Sequence, residues 1–252
     1  MWFRKNDIEN DLKKVALLDI AEDLGKATAE KLNDSYPGTT TIFIECDVSK
    51  EESIVKGFDE VIKAFETIDV IINNAGILND SPHMWRTACD VNWQGLVSFT
   101  LRGLNHMKND NNGKGGTIIN ISSLILFEKM QYLPIYTGSK SAVLSFGRTL
   151  TMGPFFENTG VRILTMCFGA TNTPMLQNSG KCSYDTKYGD EITNQINATY
   201  WQKPESAVRG VIDIFKQGEC GSIWVVNKDK PAVNITSIIN DAYESIEKAI
   251  FI

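Results

Sequence analysis

Tyr136 and Lys140, four residues apart in the run YTGSK, are the residues of this sequence best suited to chemistry. At that spacing two side chains share one face of a helix, so the Lys140 ammonium can lie beside the Tyr136 phenol. A phenol titrates at about 10. Bringing it to about 7 takes about 4 kcal/mol, which one cation at about 4 Å supplies at an effective dielectric of about 20. Burial pushes the phenol the other way, so the cation has to win for tyrosinate to form. The earlier run INISS ends in Ser123, thirteen residues before Tyr136, and its hydroxyl can hold a substrate oxygen while Tyr136 takes the proton. No protein side chain accepts the hydride that an alcohol must then lose, so a nicotinamide is implied. Against this stands a bland alternative, a packed tyrosine beside a solvated lysine.

The elements that must position these groups alternate along the chain. KVALLD, TTIFIECD, DVIINNAG, GTIINIS, VRILTMC and SIWVV are short apolar runs suited to strands covered on both faces. Between them lie helix-period segments: AEDLGKATAEKLND, EESIVKGFDEVIKAFETI with Ile54, Phe58, Val61, Ile62 and Phe65 on one face, a helix near 84–108, another from about Tyr136 to Asn158, and PESAVRGVIDIFKQ. This βαβ rhythm predicts an α/β fold, a Rossmann-type doubly wound parallel sheet in a single domain spanning 1–252. The rhythm lapses over 174–202, a polar, aromatic-dotted insertion at a strand's carboxyl end, where such folds build substrate lids. Tyr184, Tyr188, Tyr200 and Trp201 there either line an apolar pocket or pack the insertion on the core. Residues 236–252 repeat apolar positions at helical spacing and predict a docked terminal helix.

Composition narrows the classes. With 252 residues, 42% of them apolar, the chain can bury one large core, and its net charge of −6 leaves no basic patch for nucleic acid. No run reaches the roughly 18–20 apolar residues of a membrane span, and the polar start has no signal-peptide centre, so a cytosolic protein is expected. The five cysteines are scattered without metal-ligand spacing, and His83 and His106 form no cluster; no metal is expected.

In order along the chain, NNAG at 73–76, VNWQG around Asn92, INISS, YTGSK and FGATNTPM resemble the short-chain dehydrogenase/reductase family. The resemblance runs from about Lys13 to Lys230. Through SFGRTL, GVRILTMC and GSIWVV it is closest to the branch of 15-hydroxyprostaglandin dehydrogenase and the insect-type short-chain alcohol dehydrogenases. It implies Tyr136 as acid/base, Lys140 as its partner and ribose clamp, Ser123 as substrate holder, and Asn92 completing a proton relay. Asn73, Asn74, Ala75 and Gly76 would lie beside the cofactor, with Asp47 and Val48 near the adenine and Gly169 and Thr171 on the nicotinamide side. Homodimers through the two long helices are also implied. Asp19 has its own argument: a carboxylate at that strand tip accepts hydrogen bonds from a ribose and repels a 2′-phosphate, favouring NAD over NADP. Asp19 and Asp47 can equally be helix N-caps. Asn92 is a poor helix former, which points to a side-chain role.

The chain departs from the family in three places. Phe168 stands where proline precedes Gly169, and Leu133 replaces the glutamine of 15-hydroxyprostaglandin dehydrogenase, which argues against prostaglandins. Before KKVALLDI the family has a first strand, a glycine-rich turn and a helix, which need roughly 20–25 residues, whereas twelve precede Lys13 and Gly25 is the first glycine. Residues 1–12 can supply a remnant of that helix, with Ile8 and Leu12 inward. A missing first strand would leave unpaired backbone mid-sheet, between the strands of KVALLD and DVIIN. A truncated or mispredicted start, a pseudoenzyme and an unusual cofactor mode all account for this. The expected function is NAD-dependent interconversion of an apolar alcohol and its carbonyl compound. The rival is a non-catalytic binding or storage protein on the same scaffold.

Overall fold

The computed structural model describes residues 13–109, 113–128, 130–177 and 181–251. The expected helix remnant over 1–12 lies outside them. Each of the six apolar runs forms a strand, β1 (Lys14–Asp19), β2 (Thr40–Glu45), β3 (Val70–Asn73), β4 (Gly116–Ser123), β5 (Val161–Phe168) and β6 (Ile223–Val226), and a short β7 (Val233–Asn234), not expected from the sequence, follows them. The helices are α1 (Glu22–Ser35), α2 (Glu51–Phe65), α3 (Trp85–Cys89), α4 (Leu96–Met107), α5 (Pro134–Leu150), α6 (Phe155–Thr159), α7 (Pro174–Gln177), α8 (Gly189–Asn197), α9 (Pro204–Gln217) and α10 (Thr236–Ile250). Strands β3 to β6 pair in parallel in chain order, and β7 closes the far edge antiparallel to β6.

Alternation along β4 and β5 explains the layering. Ile119, Ile121, Leu164 and Met166 point to one face, against Val211 and Ile214 of α9. Ile118 and Ile163 point to the other, where Met107 and Leu104 of α4 cover them. A strand buried on both sides needs apolar residues at successive positions, which is why these runs do not alternate with polar ones.

Among the described residues the sheet is in two pieces, β1-β2 and β3-β4-β5-β6-β7. Val15–Leu18 and Val70–Asn73 are only half-buried despite their composition, whereas the centre of β4 is fully buried. The pieces are joined instead through α2: Ile44, Val61 and Phe65 pack with Ala16, Leu18 and Ile68, and the Lys14 ammonium reaches the Phe65 carbonyl at 3.3 Å.

Two expected helices differ. The helix predicted to Asn158 ends at Leu150, because Gly153 (φ 64°) and Pro154 break it before α6. The terminal helix docks through its first half, where Ile235 and Ile239 meet the Leu144–Cys167–Ile223 cluster and Arg148 stacks 3.7 Å from the Tyr243 ring; no described residue of α10 is buried.

Candidate active site

The carboxyl ends of the parallel strands and the first turns of α5 form the site. Tyr136 and Lys140 lie on the inward face of α5, and both are buried. The Lys140 ammonium, in a side chain only 4% exposed, stands 5.8 Å from the Tyr136 ring centroid and donates to the Ile121 carbonyl at 3.0 Å. A solvated lysine is therefore ruled out. Burial pushes the Lys140 ammonium down to about 8 and the Tyr136 phenol up to about 12; a hydrogen bond with Ser123 pulls the phenol back and the Asp80 charge pushes it further up. Desolvation is the larger effect on both groups, in the direction that burial was expected to push the phenol.

Asn92 is 1% exposed within a π-helical turn, Asp90–Gly95, that joins α3 to α4. Such a turn re-aims side chains at functional sites. The Asn92 amide grips the backbone of Ile77 on both sides, donating to its carbonyl at 2.8 Å and accepting from its N–H at 2.7 Å, and reaches Ser139 Oγ at 3.3 Å. Ile77 follows Gly76, and a Cβ added at Gly76 would stand 3.3 Å from Asn92 Oδ1 and 3.6 Å from Lys140 Nζ. Asn92, Lys140 and the NNAG turn therefore converge on one point. Ser123, in register with Phe168 at the end of β4, accepts from the Ile125 N–H at 3.2 Å and donates to the Phe168 carbonyl at 3.5 Å.

The other predicted residues spread along the same edge. Asn74 and Ala75 are exposed at the tip of β3, while Asn73 turns into the sheet and donates to Asn120 at 2.8 Å and Thr100 at 3.0 Å. Asp19 and Asp47 are not N-caps; those positions are Ala21 and Lys50. Each carboxylate instead bonds a backbone N–H two residues on, Ala21 and Ser49, both at 3.0 Å, an Asx turn leading into the helix. The Ser49 hydroxyl and Lys50 hold Asp47 below the usual carboxylate range. Val48 abuts Gly95, where a Cβ would collide with its carbonyl oxygen. Gly169 bonds to Val226, and Thr171 receives Gln202 Nε2 at 3.1 Å; Gln202 is fully buried and fastens both ends of the 174–202 segment.

That segment folds over Tyr136. Ile192 and Ile196 of α8 pack with Cys182, Leu78, Ile125, Leu133 and Tyr136, with Trp201 and Tyr132 at the margin. Tyr188 stacks between Tyr132 and Tyr184, and Tyr200 bonds Asp229 at 2.8 Å. Sequence reasoning missed Asp80, buried and bonded to the first turn of α5, and the Ile121 carbonyl; a signal for the first was available, since Leu133 before Pro134 cannot cap a helix. Among the described residues there is no cluster suited to a metal ion and no helix long and apolar enough to cross a membrane.

The fold is a layered α/β unit with the Tyr–Lys–Ser–Asn cluster at the carboxyl ends of its parallel strands. Residues 7–182 match the short chain dehydrogenase family model, and the chain belongs to that family. It is 33% identical over 235 residues to alcohol dehydrogenase 1 of Ceratitis cosyra, covering 91% of this chain and 89% of the relative. It is likewise 33% identical over 221 residues to the NAD(+) 15-hydroxyprostaglandin dehydrogenase of Rattus norvegicus, covering 86% and 82%. Levodione reductase shares the fold, with a TM-score of 0.66 at 21% identity over 80% of each chain.

Proposed function

We propose that this chain is an NAD-dependent oxidoreductase that interconverts an apolar primary or secondary alcohol and its carbonyl compound, with Tyr136 passing the proton. The observation that carries the reading is the buried Lys140 ammonium, set between Gly76 and Tyr136 with, among the described residues, one backbone carbonyl as its acceptor. An ammonium has three donors, so such a group still has N–H bonds to give to a ribose and charge to give to a phenol.

The residues at both ends fit a dinucleotide. Asp19 offers an exposed carboxylate to the adenosine ribose, and Asp47 and Val48 flank the adenine; Asn74, Ala75, Gly76, Gly169 and Thr171 line the nicotinamide end, where Gly76 leaves room that a side chain would fill. The sequence has no glycine-rich turn for the phosphates. When bound, the nicotinamide accepts or returns the hydride. Ser123 holds the substrate oxygen, Tyr136 removes or restores its proton, and Asn92 fixes the NNAG turn against α5. A phenol held at about 12 carries its proton at neutral pH, so it is ready to protonate a carbonyl oxygen in reduction, and alcohol oxidation gains from alkaline pH.

Residues 174–202 act as the substrate lid of a single unit over 1–252, supported by their apolar packing on Tyr136. A homodimer and a cytosolic location belong to the same reading, supported by the exposed Leu101 on α4 and by thiols such as Cys46 and Cys167 that form no disulfide. The two relatives named above, an alcohol dehydrogenase and a 15-hydroxyprostaglandin dehydrogenase, do not favour the storage-protein rival.

The test is titration with NADH and NADPH, read as energy transfer from tryptophan. NADH is expected to bind, and more tightly than NADPH; no transfer with either contradicts the reading. The same titration on a version preceded by a family-type strand and glycine turn separates weak phosphate binding from a defective site.

A further inference from the structure

We propose that Asp80 is a positioning residue for Tyr136, fixing the first turn of α5 and tying it to the segment that covers the site. Helix α5 starts without a local cap: Leu133 has no side-chain acceptor, and Pro134 at N1 has no N–H to satisfy. The next two donors, the N–H groups of Ile135 and Tyr136, both go to one carboxylate fifty-five and fifty-six residues earlier in the chain, Oδ2 of Asp80 at 2.6 Å and Oδ1 at 2.8 Å. Asp80 is 1% exposed, and its own N–H donates to the Cys182 carbonyl at 2.7 Å.

One residue therefore joins three parts: the loop that leaves Gly76, the helix that carries Tyr136, and the 174–202 segment. Both carboxylate oxygens bond to backbone, so a shift in any of these parts moves the peptide plane on which Tyr136 hangs.

Asp80 also sets charge. Among the described residues it has no ion-pair partner; burial raises its carboxyl and the two N–H bonds pull it back. A carboxylate at this helix start cancels the positive dipole end, which favours the protonated phenol. The groups that bear on Tyr136 are the Ser123 hydroxyl, the Lys140 ammonium and Asp80; the thiols of Cys89 and Cys182, pushed up chiefly by burial, face Asp80 itself.

This inference rests on Tyr136 being the acid/base. The test uses the full chain carrying Asp80→Asn, which keeps one acceptor and removes the charge, or Asp80→Ala, which removes both. Two readouts are taken: the pH profile of alcohol oxidation with NAD, and amide hydrogen exchange at Ile135 and Tyr136 without cofactor or substrate. With Asp80→Asn the alkaline midpoint is expected to fall by roughly 0.2–0.7 pH unit. With Asp80→Ala, kcat is expected to drop roughly 10- to 100-fold and the two amides to exchange faster. Faster exchange with an unmoved midpoint makes Asp80 a structural cap alone and overturns the proposal, as do unchanged amides. Exchange needs no turnover, so a Tyr136→Phe protein as active as the original defeats the proposed function while the capping arm is still decided on its own.

Discussion

The Lys140 ammonium donates to the Ile121 carbonyl at 3.0 Å from within the core, across the interface between α5 and β4. A cation that, among the described residues, is held by a carbonyl and no carboxylate is costly to bury, and burial lowers the Lys140 ammonium to about 8.

The sign of that cost is measurable. Between about 8 and the ordinary value of 10.5 the unfolded chain binds the Lys140 proton and the folded chain does not, so this residue makes stability rise with pH across that window. Denaturant unfolding of the original and of Lys140→Met at several pH values isolates the effect. The difference between them should shift in favour of the original by on the order of 3 kcal/mol from pH 8 to 10.5.

Asn92→Ala removes an amide that satisfies both the N–H and the carbonyl of Ile77 in a buried place. Stranding buried backbone groups costs about 1–3 kcal/mol each. A lower midpoint of thermal unfolding is expected together with loss of turnover, because the NNAG turn and α5 lose their tie. Calorimetry and initial rates on one preparation check both.

At the tip of β1, Asp19→Asn leaves the Asx turn an acceptor for the Ala21 N–H while removing the charge that repels a 2′-phosphate. The ratio of NAD to NADP efficiency, as kcat/KM, should fall about tenfold, equivalent to about 1.4 kcal/mol. An unchanged ratio removes Asp19 from cofactor choice.

How far the sequence speaks varies with the range of the interaction. Strands β1 to β6 were legible because strands covered on both faces favour unbroken apolar runs such as IFI and VII, and the Tyr136–Lys140 pairing because helix geometry fixes residues four apart. The Asp80 bonds were not, because they join positions more than fifty residues apart whose meeting depends on the whole sheet. The end of α5 was misjudged although Gly153–Pro154 announces it, since the apolar spacing continues through Phe155 and Phe156. The π-turn at Asn92 leaves no periodic mark at all; it inserts one residue per turn and hides inside a helical pattern. The spacing gives the direction in which burial pushes the Tyr136 phenol but not how far, because a pattern of spacing carries no dielectric.

The most direct test of the account is turnover of apolar alcohols with NAD by the original chain and by Tyr136→Phe, across a pH series. The account predicts NADH formation that rises toward alkaline pH in the original and is lost in the variant, with circular dichroism and unfolding midpoint nearly unchanged. A folded Tyr136→Phe protein that turns over as fast as the original contradicts it.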